Sequence, residues 1–93
     1  MVFVTFIKMK DGCNYSNKQE EIDSLYLTGS LSNPGWYKKE EVFNLIKYNS
    51  WIIKVNIAPF PVLVPTISIN GEKYVKSVSD NTSKDNLMSL PRA

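Results

Sequence analysis

Cys13 is the only cysteine of the chain, and histidine is absent. This excludes every His-based catalytic triad, every zinc site built from His and Cys, and every disulfide within the chain. The thiolate is the reactive form of a cysteine, and among neighbouring residues only Lys10 would lower the thiol pKa. We therefore predict that Cys13 is an inert loop thiol.

The carboxylates are spaced for neither acid–base catalysis nor metal binding. Glu20 and Glu21, and likewise Glu40 and Glu41, are adjacent in sequence, so on a helix or strand the two side chains of each pair point in different directions. We therefore predict that they are solvated surface carboxylates rather than a general acid and base. Asp80 and Asp85 flank a polar loop, but the spacing of a calcium-binding EF-hand loop and its closing Glu are missing, which favours Asx turns. Four scattered glycines form no phosphate loop. We predict no catalytic residue, no metal, no cofactor and no enzymatic activity.

The stretch Trp36-Tyr37-Lys38-Lys39 combines aromatic side chains, which can stack on bases, with lysines, which can hold phosphates. Glu40 and Glu41 follow it directly and offset its charge, and tryptophans at the ends of elements are often core residues. The candidate partner-binding residues are Trp36, Tyr37, Lys38 and Lys39, and this set is extended by Lys47 and Lys54.

The composition indicates a small domain with a core and a weak charge field. A chain of 93 residues is enough for a single domain, 1–93, and too short for two. It is 43% hydrophobic and carries a formal net charge of +2, far below the excess that marks a charge-driven binder of nucleic acid or membrane. Electrostatics alone therefore assigns no partner.

We expect the N-terminal segment to be a strand rather than an export signal, because Lys8 and Lys10 follow the apolar run instead of preceding it. No stretch approaches the roughly 20 apolar residues of a membrane span. With a single cysteine, these features favour the cytoplasm. Ten lysines against one arginine resemble the bias of a low-GC bacterial genome or its mobile elements, such as phages.

The predicted fold is α+β, in the order β-β-α-β-β-β, with one helix packed on a mostly antiparallel, curled sheet. Residues 2–9 are apolar on both alternating faces, which is typical of a central strand, and residues 22–28 form the next strand. Helical spacing of Val42, Leu45 and Ile46 predicts a helix over 38–48. A sheet closing into a small barrel is the rival architecture.

The second half of the chain is predicted to be β. Alternation over 51–57 indicates a half-buried strand, and Pro65 makes 62–69 an edge strand or a bulged one. Asn70-Gly71 predicts a two-residue type I′ hairpin that pairs Ile67 with Tyr74. The expected core comprises Val4, Phe6, Ile7, Leu25, Leu27, Val42, Phe43, Ile46, Trp51, Ile53, Val55, Ile57, Ile67, Val75 and Leu87.

The C-terminal segment is predicted to be a plug. Leu87 and Leu90 are three residues apart, as on one face of a helical turn that Asp85 or Asn86 can cap and Pro91 ends. We expect both leucines to close the open end of the sheet. The alternative is that this motif is a recognition surface.

The same segment carries a family resemblance. Tyr74-Val-Lys-Ser77, Asp80, and Asp85-Asn86-Leu87 with Leu90-Pro91 resemble the ending of DUF3892, a small bacterial and phage family of unknown function. The helix entry is also similar, at Gly35-Trp36, Lys39-Glu40-Glu41 and Leu45-Ile46. The resemblance implies the fold and brings no activity with it.

By elimination, we expect a non-enzymatic interaction module that binds and modulates another protein. An unpaired strand edge beside aromatic side chains can recruit a partner strand. The alternative is a weak nucleic-acid-binding domain that uses the aromatic and lysine residues. The sequence leaves the oligomeric state open.

Overall fold

A computed structural model describes residues 1–16, 18–58, 60–77 and 87–93. In these residues the elements are β1 (Val2–Met9), β2 (Ile22–Gly29), β3 (Gly35–Lys38), α1 (Lys39–Asn49), β4 (Ile53–Val55), β5 (Leu63–Ile67) and β6 (Lys73–Ser77). Single 3₁₀ turns lie at Gln19–Glu21 and Leu87–Ser89. The predicted α+β class is confirmed. Within those ranges, no helix is long and apolar enough to cross a membrane.

The strands form two sheets. The larger sheet has the order β3-β2-β1-β4, and β5 pairs with β6 in the smaller one. β1 is antiparallel to β2 and parallel to β4, so its predicted central position is confirmed. A bridge between Lys54 and Val62 connects the two sheets. β3 was missed because four residues after a turn-rich loop are too few to show an alternating pattern.

A bulge at Thr5 controls which side chains of β1 enter the core. Val4 pairs with Leu27 and Phe6 with Tyr26, which leaves Thr5 as an extra residue. Because side chains alternate between faces, one extra residue exchanges the two faces for the rest of the strand. Val4 and Ile7 are therefore both buried, whereas Phe6 is 43% exposed. The prediction that Phe6 lies in the core is wrong.

Helix α1 packs against β2 and β3 of the large sheet and against both strands of the small sheet, and its Val42 and Phe43 are fully buried. Ile46, Trp51 and Ile57 are partly buried against the core. Ten predicted core residues are buried: Val4, Ile7, Leu25, Leu27, Val42, Phe43, Ile53, Val55, Val75 and Leu87. Val2, Met9, Ile22, Leu63 and Met88 are buried without having been predicted.

The start of α1 uses a lysine where a capping residue would normally stand. An ammonium group cannot accept a hydrogen bond, so the side chain of Lys38 caps nothing. Instead, the Lys38 backbone N–H donates to the Glu41 carboxylate over 3.2 Å. The helix ends at Asn49, and Ser50 after it has a left-handed φ of 57°. The Trp51 N–H then donates to the Leu45 carbonyl over 3.1 Å.

The hairpin between β5 and β6 differs from the prediction by one residue. Ile67 pairs with Lys73 and Tyr74 with Thr66, so the predicted pairing of Ile67 with Tyr74 is wrong. The Gly71 N–H donates to the Ser68 carbonyl over 2.9 Å, and Gly71 has a φ of 82°.

Asn70 does not share this positive φ, which a two-residue type I′ turn requires at both positions. The loop therefore has three residues, 69–71, and the shift leaves Ile67 outside the core, 55% exposed. The registers on both sides of Pro65 are regular. The edge-strand interpretation of this segment is thus confirmed, since within the described part of the chain β5 pairs along its length only with β6.

The C-terminal segment packs into the core as predicted. Leu87 is fully buried and Leu90 is 4% exposed. The Ile7 N–H donates to the Pro91 carbonyl, and the Ala93 N–H donates to the Ile7 carbonyl, both over 3.0 Å. The segment therefore covers the edge of β1 beyond its pairing with β4, which ends at Val4. The predicted caps Asp85 and Asn86, and the loop aspartate Asp80, lie outside the described residues.

Truncating the plug should destabilise the fold. We expect Leu87→Ala and Leu90→Ala each to lower the free energy of unfolding by about 2–5 kcal/mol, measured by urea denaturation, because each leaves a cavity. Ile69→Ala, at a fully exposed position of the hairpin loop, is the control and should change it little. Unchanged stability in both leucine variants, with loss of ligand binding, would show instead that the segment is a recognition surface.

Candidate functional site

A row of aromatic side chains crosses the face of the large sheet opposite α1, which we call the outer face. Phe6, Tyr26 and Trp36 are direct cross-strand partners on β1, β2 and β3. The ring centroids of Phe6 and Tyr26 lie 6.0 Å apart, and those of Tyr26 and Trp36 lie 5.3 Å apart, both edge-to-face. Phe6 and Trp36 remain 43% and 45% exposed. The sheet thus holds three rings in fixed positions and leaves two of them open to a ligand.

A row of lysines runs beside the aromatic row. Lys8 pairs with Ser24, which pairs with Lys38, so the same three strands contribute to both rows. Lys8, Ser24 and Lys38 each lie two residues from a residue of the aromatic row, about 7 Å along the strand. We call this pair of rows the aromatic–lysine face. It presents stacking surfaces next to positive charges.

Asp23 moderates the charge of this face. It forms an ion pair with the Lys38 ammonium over 3.1 Å and accepts a hydrogen bond from the Ser24 hydroxyl over 2.7 Å. The Ser24 hydrogen bond, and then the contact with Lys38, hold the pKa of Asp23 below its usual value. The carboxylate therefore stays charged and offsets one lysine, so electrostatic attraction at this face is modest.

A second aromatic pair lies at the other end of β1. Phe3, on the outer face, pairs with Lys54 of β4. The Phe3 ring contacts the Phe60 ring edge-to-face, with centroids 6.3 Å apart, and Phe60 is 45% exposed. Aromatic rings therefore lie along the outer face of β1, with lysines at both ends.

The predicted partner-binding residues do not form one surface. Trp36, Lys38 and Lys54 lie on the outer face. Tyr37 alternates to the inner side, where its hydroxyl donates to the Asn33 carbonyl over 2.6 Å. Lys47 is exposed on α1, the element that covers the opposite face, and Lys39 is 2% exposed. Phe6 and Lys8 were missed because the bulge at Thr5 turns them outward. Tyr26 was missed because only long-range strand pairing brings it between Phe6 and Trp36.

Lys39 is a buried structural cation. Its ammonium donates to the Glu72 carboxylate and, over 2.6 Å, to the Glu20 carbonyl. Lys10 also donates to Glu72, over 2.5 Å. These contacts connect the start of α1 to the hairpin, the end of β1 and the first 3₁₀ turn. Hydrogen bonds from Lys10 and Lys39 hold the pKa of Glu72 below its ordinary value, and the bond to Glu72 raises the pKa of Lys10.

Cys13 sits in a hydrogen-bonded loop. Its thiol donates to the Glu21 carboxylate over 2.9 Å, and the Ser16 hydroxyl donates to the same carboxylate. The bond to Glu21 raises the pKa of the Cys13 thiol, which disfavours the thiolate. Among the residues with described positions, no group of three or more His, Cys, Asp or Glu is placed to hold a metal ion.

The family assignment rests on nearly the whole chain. The family model for a protein of unknown function, DUF3892, matches residues 3–91. The chain belongs to the DUF3892 family. No curated protein and no solved structure matches it. Membership in DUF3892 confirms the resemblance but supplies no activity, so a functional proposal depends on the geometry of the outer face.

The Glu72 cluster predicts a specific pH dependence. A carboxylate with a depressed pKa stabilises the fold above its unfolded pKa, and that stability is lost as the pH falls. Glu72→Gln should therefore cost about 1–2 kcal/mol at pH 7, because Glu72 is one-third exposed and partly screened.

The difference in melting temperature between native protein and Glu72→Gln should shrink as the pH falls below about 4.5. Glu40→Gln, which neutralises an exposed carboxylate of α1, is the matched control. Its melting temperature should fall with pH in the same way as that of the native protein. A constant difference between native protein and Glu72→Gln from pH 7 to pH 3 would contradict the assignment.

Proposed function

We propose that the chain is a non-enzymatic binding domain that holds single-stranded nucleic acid on its outer sheet face. The observation that supports this is the aromatic–lysine face, in which the row Phe6–Tyr26–Trp36 lies beside Lys8 and Lys38. Sheets that bind single strands stack bases on aromatic rings and hold phosphates with cations. The two rows offer both contacts at once.

Stacking contributes more than charge in this proposal. Base–aromatic stacking is worth about 1–3 kcal/mol per base and tolerates any base. Among the described residues, three lysines lie on the outer face, and Asp23 offsets one of them. Few counterions are therefore released on binding. We infer weak to moderate affinity, little sequence preference and a shallow dependence on salt.

A protein partner, the leading expectation from the sequence, is the second candidate. Among the residues that the structure describes, β3 pairs only with β2, and a partner strand could add to its other edge directly beside Trp36. The lysine row favours nucleic acid, because lysine is depleted at protein–protein interfaces. Modulation of another protein, a cytoplasmic location and a bacterial or phage origin stay predictions.

Tryptophan fluorescence tests the proposal directly. In a Trp51→Phe background the signal comes from Trp36 alone, because the chain has two tryptophans. We expect oligothymidylate to quench this signal, with a slope of log affinity against log salt no steeper than about −2 for three lysines. Lys8→Gln should reduce the slope by about 0.7.

Phe6→Ser should weaken binding by roughly 5–150-fold, the equivalent of one lost stacking contact. Ile69→Ser, a matched change at a fully exposed apolar residue of the hairpin, should leave binding unchanged. Absence of quenching by both DNA and RNA single strands would refute the proposal. A purified partner protein whose binding depends on Phe6 and Trp36, without any oligonucleotide binding, would establish the second candidate instead.

A further inference from the structure

We infer that the binding surface continues along β1 to a second stacking position formed by Phe3 and Phe60 and flanked by Lys54. This inference rests on the proposed function and extends it, because it makes the ligand a longer single strand than the row Phe6–Tyr26–Trp36 can hold. The two positions share β1 and the outer face of the same sheet.

The conformation of Phe60 supports a binding role. Its φ of 61° is in the left-handed region, which bulky residues rarely adopt. The Phe60 N–H donates to the Ile57 carbonyl over 2.7 Å, and this hydrogen bond helps to hold the conformation of Phe60. The ring contacts Phe3, yet 45% of the residue stays exposed next to the strained backbone. Its exposed surface is available to stack on a base.

The lysines near Phe3 and Phe6 match a polyanionic strand. Lys54 of β4 lies beside Phe3, and Lys8 lies beyond Phe6 on β1, so there is a lysine near each of the two rings. Phe3 and Phe6 are three residues apart, about 10 Å along β1. A single strand that stacks on both rings can therefore place phosphates near both lysines. A neutral apolar ligand would gain nothing from either charge.

Two connected stacking positions predict a dependence on ligand length. A short oligonucleotide occupies one position, whereas a longer one engages both and gains from the intramolecular second contact. We expect an oligothymidylate of about nine nucleotides to bind at least tenfold more tightly than one of about three, lengths that bracket the ~4-nucleotide lower limit of site sizes in single-strand-binding barrels.

The test uses the whole chain in the Trp51→Phe background, where quenching of Trp36 reports on the Phe6–Tyr26–Trp36 row. Phe60→Ala should reduce the affinity for the longer oligonucleotide to near that for the shorter one, and leave the affinity for the shorter one unchanged. Lys54→Gln should lower the salt slope for the longer oligonucleotide only. Ile69→Ala is the control and should alter neither affinity.

The outcomes separate the two claims. If neither oligonucleotide quenches Trp36, the proposed function itself fails. If both bind, but the ratio of their affinities is the same in Phe60→Ala and in the native protein, the proposed function stands and the second stacking position is refuted. A circular dichroism melting curve for Phe60→Ala that matches the native one ensures that any loss of binding is local.

Discussion

The bulge at Thr5 is the constraint on which both the core and the outer face depend. β1 is the centre of the large sheet, so every alternation along it places one side chain in the core and the next outside. With regular pairing, Val4, Phe6 and Lys8 would all point towards α1, which would bury a lysine. The extra residue lets Ile7 and Met9 follow Val4 into the core. It also places Phe6 and Lys8 opposite Tyr26 and Ser24 on the outer face.

The elements that the sequence predicted well are those specified by local patterns. Strand β4 and helix α1 follow from apolar spacing within a few residues, although β4 covers only Ile53–Val55 of the predicted 51–57. The hairpin was located by Asn70-Gly71, but its register depends on how many residues adopt a positive φ. Only Gly71 of that pair does, and this choice between two turn geometries leaves no distinct mark in the sequence.

The candidate site was only partly predictable, because its members are brought together by long-range pairing. Trp36 and Lys38 were identified as an aromatic next to a lysine, yet their neighbours on the face come from β1 and β2. Lys39 looked like another surface lysine, but Glu72, 33 residues further along the chain, pairs with it beneath the hairpin. A run of adjacent residues therefore predicts the right residue types but does not define the surface.

The central claim is that the bulged β1 creates a recognition face on the side of the sheet away from α1. Nuclear magnetic resonance of isotope-labelled protein titrated with oligothymidylate tests it most directly. We predict that the largest chemical-shift changes occur in the ring signals of Phe6, Tyr26 and Trp36, while those of Val42 and Phe43 in α1 stay in place. Shifts concentrated in α1 or in the β5–β6 hairpin, with the three ring signals unchanged, would contradict it.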